Sequence, residues 1–149
     1  MPKIAFTVPG VPRGKGRPRF AQRGKFVKAY TDEKTECYEN KVLMCFRHVA
    51  PGHQPIARRV PITLKMVAYF PIPASYSNKR KQDCYEFLGK PDGDNMLKCM
   101  DSLNAVAWED DSQIWRCTIE KIYTLTTPRL EITMEWGDTG MGSLGRVPR

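Results

Sequence analysis

The sequence predicts an α+β protein, on three observations. Runs of alternating, β-branched and aromatic residues occur at 3–8, 60–70, 112–125 and 129–136, as half-buried strands require. Two stretches, 31–50 and 94–106, instead repeat their apolar residues at helical spacing. Proline or glycine stands at the borders, at Pro9-Gly10, Pro51, Pro71 and Pro128. With 149 residues and 17.1 kDa, the chain is sized for one domain with its own core, expected over 1–136, followed by a Gly-rich, mobile tail over 137–149.

In order, "KIAFTV" at 3–8 is the first strand. The following "VPRGKGRPRFAQRGKFVKAY" carries Arg13, Lys15, Arg17, Arg19, Arg23, Lys25 and Lys28 without one acid. Its glycines and prolines predict a loop or hairpin, with a short strand at 25–30. From Thr31 to about Ala50 an N-cap residue, acids in the first turn and apolar residues at 38, 42, 45, 46 and 49 predict an amphipathic helix. Residues 60–70 form a strand with Ile62, Leu64, Met66 and Ala68 on one face. "SYSNKRKQDCYEFLGK" reads as a short helix or basic loop. Met96, Leu97, Met100, Leu103 and Ala107 predict a second main helix from about 94 to 106. The last two strands read as a hairpin around Thr127-Pro128.

Composition removes several functional classes. No apolar run approaches the roughly 18 residues that span a bilayer, and the start lacks the apolar core of a signal peptide, so a soluble cytoplasmic protein without a membrane partner is expected. The five cysteines contain no C-x-x-C pair, which suits reduced thiols acting mainly as small buried apolar groups. His48 and His53 stand in no metal-binding or triad frame. Catalysis, if present, rests on carboxylates and lysine.

Charge is distributed unevenly. The net charge is +8, yet residues 92–111 hold Asp92, Asp94, Asp101, Glu109, Asp110 and Asp111 against the single base Lys98. Carboxylates repel one another unless a cation, a proton or a donor offsets them, so the cluster reads first as a divalent-metal site. The basic remainder reads as a surface for a polyanion. Asp92 and Asp94, two apart in an extended lead-in, can face one ion. Lys98 follows one helical turn after Asp94, where an ammonium could meet charge developing on a phosphate. Plainer readings stand beside this one: Asp92 and Asp94 as helix-capping acids, Asp110 and Asp111 as an ordinary turn, Lys98 as a surface partner of Asp94, and Asp101 as a structural residue.

The run "KPDGDNMLKCMDSLN", followed by "EDDSQI", closely resembles the motif of the RusA family of Holliday junction resolvases, and "PGVPRGKGRPRF" is similar to that family's basic opening. The resemblance covers about 1–135. It implies a small mixed β-sheet with helices packed on one face, and a homodimeric endonuclease that cuts paired strands at a four-way DNA junction. The implied cofactor is Mg²⁺, with Mn²⁺ as substitute and no small-molecule cofactor besides. By position, Asp92 and Asp94 are the implied metal-binding catalytic acids and Lys98 the essential lysine. The third acid falls in the Asp110-Asp111 pair, with Asp111 preferred. Arg13, Lys15, Arg17, Arg19, Arg23, Lys25, Lys79, Arg80 and Lys81 would contact DNA phosphates. Phe20 and Tyr30 could stack on bases, although such aromatics are more often core; Trp108, Trp115 and Trp136 are assigned to packing. A phage or prophage source fits. Competing readings are a nuclease for flaps or forks and an inert DNA-binding module.

Overall fold

A computed structural model describes residues 2–15, 19–30 and 33–137, and for 19–23 and 26–30 the backbone alone. In chain order the elements are β1 (Lys3–Pro9), β2 (Arg19–Arg23), β3 (Phe26–Tyr30), α1 (Glu33–Val49), β4 (Ile62–Pro71), α2 (Asn78–Asp83), α3 (Gly93–Lys98), β5 (Ile114–Thr124) and β6 (Arg129–Trp136), with 3₁₀ turns at Cys99–Leu103 and Asp111–Gln113. Four strands make one sheet in the order β1-β6-β4-β5, and β2 pairs with β3 as a separate hairpin. Pairing is antiparallel for β1–β6 and β6–β4 but parallel for β4–β5, so the sheet is mixed.

β4 is the central strand, and its alternation is complete: Ile62, Leu64, Met66, Ala68 and Phe70 are all buried on one face. Phe6 and Val8 of β1 and Leu130, Ile132 and Met134 of β6 extend that apolar surface. The helices cover it. α1 supplies Tyr38, Val42 and Phe46, one residue per turn, and α3 with its 3₁₀ extension supplies Met96, Cys99, Met100 and Leu103. The opposite face keeps a mixed lining of Lys65, Val67, Tyr69, Glu120, Ile122, Glu131 and Thr133. The structure is thus the expected α+β arrangement with helices on one face.

Four expectations are corrected. The strands at 112–125 and 129–136 are not a hairpin, because β4 lies between them. The link Leu125–Pro128 passes over the end of β4, where Pro71 has no N–H to offer a neighbour. Periodicity gave both strands but says nothing of spatial order. The predicted helix 94–106 is α-helical only to Lys98 and then tightens to a 3₁₀ turn that ends at Leu103. In that winding residues three apart eclipse, which stacks Met100 over Leu103 in the core and sets Asp101 in line with Lys98. Trp115 is 53% exposed rather than packed, with the Arg116 guanidinium 4.5 Å from its ring, and Cys37 is exposed rather than buried. The Thr31 cap and the tail from 138 onward lie outside the described residues.

Gln113 closes the end of the sheet where β4 and β5 begin. Its buried amide donates to the carbonyls of Ile56 (3.2 Å), Ala57 (2.8 Å) and Val60 (3.1 Å), and its oxygen accepts from the Asp110 N–H (2.9 Å). Replacing it with leucine keeps the volume but strands those groups. Gln113→Leu is expected to lose about 2–3 kcal/mol of stability, read as a lower urea midpoint with unchanged slope.

Candidate active site

The crossover from β4 to β5 carries the acidic lead-in, and β5 holds it in place. Residues 85–87 pair along the outer edge of β5 through Tyr123 N–H to Tyr85 O (2.8 Å) and Phe87 N–H to Lys121 O (2.9 Å). Phe87 stacks on Phe70 at 3.8 Å. The Lys121 ammonium then donates to the carbonyls of Gly89 (2.8 Å) and Pro91 (2.9 Å). The backbone on either side of Lys90 is therefore fixed just before Asp92. The Asp92 carbonyl accepts from Met96 N–H at 3.0 Å and starts α3.

Each of the six clustered acids has a distinct environment. Asp101 accepts from the Lys15 ammonium at 3.0 Å. Glu109 accepts from the Arg58 backbone N–H at 2.8 Å. Asp110 caps the Asp111–Gln113 turn, accepting from the Ser112 hydroxyl and from its N–H; these bonds hold its carboxyl below the usual aspartate range. Asp111 accepts at Oδ1 from the buried Trp108 indole N–H at 2.7 Å. Asp92 and Asp94 differ from these. Asp92 occupies the N-cap position of α3, yet its side chain makes no capping bond. Its carboxylate meets Lys90 at 3.4 Å and is 58% exposed; that of Asp94 meets Lys98 at 3.2 Å and is 75% exposed. Both ion pairs are solvent-exposed and worth little, so both carboxylates are available to a ligand.

The basic segment after β1 is docked on this lead-in. Lys15 N–H donates to Asn95 O at 3.0 Å, while its ammonium bridges Asp101 and Glu39 of α1, the latter at 3.3 Å. Gly14 fits because it has no side chain: a Cβ there would lie 2.6 Å from the Pro91 Cβ and 2.9 Å from the Asn95 Cβ. The hydrogen bond to Asp101 is the main cause of a raised Lys15 pKa. The Cys99 thiol beneath is pushed by burial to about 12 and stays protonated, a packing group.

Among the described residues no three acid, imidazole or thiol groups stand close enough to share one ion. Asp110 and Asp111 are therefore not brought together with Asp92 and Asp94. The pair alone still suits a divalent cation that takes one or two carboxylates from the protein and completes its shell with water and substrate phosphate.

Residues 9–135 match the model of the family described as Endodeoxyribonuclease RusA. The chain belongs to the RusA family. It is also 33% identical over 137 residues to the uncharacterized protein YqaN of Bacillus subtilis (strain 168), covering 87% of this chain and 93% of that one. Membership makes this protein an endodeoxyribonuclease of a Holliday junction resolvase family.

On the RusA-family chain the expected DNA contacts divide into groups. Arg13 is exposed beside the docked segment, whereas the Lys15 ammonium is turned to two carboxylates. Lys25 is exposed at the β2–β3 turn, beside Gly24 with φ 61°. Lys79, Arg80 and Lys81 lie on α2, which Ser77 caps and which buries no residue; the Arg80 guanidinium stacks on Tyr76 at 3.7 Å. Arg17 lies outside the described residues, as do the side chains of Arg19, Phe20, Arg23 and Tyr30.

Sequence reasoning missed Lys90, Glu39, Lys121 and Trp108 as site-shaping groups. Lys90 was legible as the base immediately before Pro91-Asp92. Glu39 and Lys121 act across long separations that no local pattern marks, and Trp108, only three residues before Asp111, reads in the sequence as a packing residue.

The Lys15 clasp gives a pH signature. Its folded pKa lies above 10.5, so its stabilisation is complete below that value and fades as pH rises through the folded pKa. Lys15→Met is expected to cost about 0.5 kcal/mol at neutral pH, with the gap to wild type closing in alkaline solution. Urea midpoints of both proteins across pH 7 to 11 measure this.

Proposed function

We propose that this RusA-family endodeoxyribonuclease is a Mg²⁺-dependent homodimer that cuts paired strands of a four-way DNA junction, in recombination or repair in the cytoplasm of a bacterial or phage-infected cell. One observation carries the catalytic assignment. Of the six acids gathered in a basic protein, Asp92 and Asp94 are the two that meet, among the described residues, no side-chain partner beyond an exposed lysine, and the backbone holding them is pinned by Lys121 and by the Gly14-Lys15 segment.

In this reading Asp92 and Asp94 hold the ion, which when bound supplies an activated water and offsets the charge of the phosphodiester at the cut. Lys98, which pairs with Asp94, would steady the non-bridging phosphate oxygens. Of Asp110 and Asp111, neither of which stands with the pair around one ion, Asp111 is the better further catalytic residue. Trp108 orients one of its oxygens, whereas the Asp110 carboxylate is committed to Ser112. Two-fold symmetry suits paired cuts, since each strand then meets an equivalent site. Arg13, Lys25, Lys79, Arg80 and Lys81, with Arg17, Arg19 and Arg23, supply phosphate contacts. Among the described residues no helix is long and apolar enough to cross a membrane.

A gel assay on a synthetic four-way junction, a flap and a linear duplex tests the proposal. Asp94→Asn is expected to lower cleavage by at least about a hundredfold while junction binding persists, and EDTA to do the same to wild type. Binding without metal-dependent cuts would favour an inert DNA-binding module, and equal cutting of the flap a broader branched-DNA nuclease. In the same assay Asp111→Asn is expected to impair cleavage more than Asp110→Asn. Arg13→Ala is expected to reduce the slope of log affinity against log salt by about 1.

A further inference from the structure

A cleft of about 660 Å³ lies where the basic segment docks on the acidic lead-in, lined by Val11, Pro12, Arg13, Gly14 and Lys15 from the one and by Lys90, Pro91 and Asn95 from the other. Its second wall flanks Asp92 and Asp94 in the chain and shares the Lys90–Asp92 ion pair. The volume falls within the roughly 300–1,000 Å³ of small-ligand sites. Both walls are fixed: Lys15 N–H to Asn95 O joins them, Lys15 anchors one to Asp101 and Glu39, and Lys121 anchors the other.

The lining has three kinds of surface. Val11, Pro12 and Pro91 present apolar faces. Arg13 and Lys90 bring positive charge; Lys90 is 85% exposed and among the described residues pairs with Asp92, an exposed ion pair from which a phosphate can draw it away. Asn95 carries an amide with both a donor and an acceptor, the type of group that reads a base edge. Apolar walls, two cations besides the Lys15 that Asp101 and Glu39 hold, and one amide match one DNA nucleotide: a flat base, its phosphate and its hydrogen-bonding edge.

Resting on the nuclease reading above, we propose that this cleft receives one unstacked nucleotide of the cut strand, next to the scissile phosphate, and that Asn95 sets the base preference of cleavage. Branched DNA suits such capture, because a base near a strand exchange is less costly to unstack than one within a duplex. Arg13 and Lys90 would hold the nucleotide's phosphate. The site that grips the substrate would then also select where along a branch the cut falls.

Two measurements test this. The first is equilibrium binding of short 5′-phosphorylated single-stranded oligonucleotides in Ca²⁺, comparing wild type with Val11→Trp, which fills the cleft from an exposed position, and with Arg13→Gln, which keeps its shape. Each variant is expected to bind about tenfold more weakly, with circular dichroism confirming that it is folded. The second maps cut sites on junctions carrying each base on either side of the scissile bond. Wild type is expected to favour one base at one position by about tenfold, and Asn95→Ala to level that preference to within about twofold. Unchanged affinity in a folded Arg13→Gln, or a base preference that survives Asn95→Ala, would overturn the proposal. If wild type cuts no DNA the nuclease reading fails, while the oligonucleotide measurement still decides whether the cleft takes a nucleotide.

Discussion

Because β5 runs parallel to β4, the chain cannot join them by a tight turn. It leaves the sheet at Pro71 and returns at Ile114, and the acidic lead-in is carried on that excursion. A crossover of this length would wander if it were tied only at its ends. It is tied in the middle by the edge pairing of residues 85–87, by the Lys121 ammonium and by the burial of Met96, Cys99, Met100 and Leu103. The parallel pair thus dictates both that a long connection exists and which strand can reach up to hold it.

Electrostatics then separates acids that look equivalent in the chain. A carboxylate that accepts a backbone or indole N–H is fixed in place, whereas one that meets only a mobile surface ammonium can exchange it for another cation. Glu109, Asp110 and Asp111 belong to the first kind, Asp92 and Asp94 to the second, and Asp101 lies between them, held by the Lys15 ammonium that Glu39 also fixes. The exposed pair is flanked by Lys90, Lys98 and the docked basic segment. Opposite charges are interleaved there, so a polyanion can approach within reach of the two acids.

Much of this was legible in the sequence. The β4 alternation, the Tyr38-Val42-Phe46 stripe of α1 and the Asp92-Asp94-Lys98 spacing are local patterns, and local patterns survive folding. What was not legible depended on partners far away. Nothing in "QIWRCTIEKIYTL" states that its neighbour would be β4 rather than β6, because alternation describes a strand's faces and not its edges. The same holds for Lys15. Beside Arg13 and Arg17 it reads as one more DNA contact, and only the arrival of Glu39 and Asp101 turns its ammonium inward. Trp115 failed in the other direction: a large aromatic in a strand reads as core, yet it sits near the exposed start of β5, where the Arg116 guanidinium covers it.

Gly14 links these observations. The hydrogen that it carries in place of a methyl is what allows the first loop of the chain to lie against Pro91 and Asn95. A residue remote in sequence from every acid therefore shares one packing constraint with the acidic motif. Substitutions at 14, 91 and 95 cannot drift independently, since a larger group at one position must be matched by room at another. Through that contact the basic opening and the acidic run form a single unit of variation, and a lineage that reshapes one must reshape both.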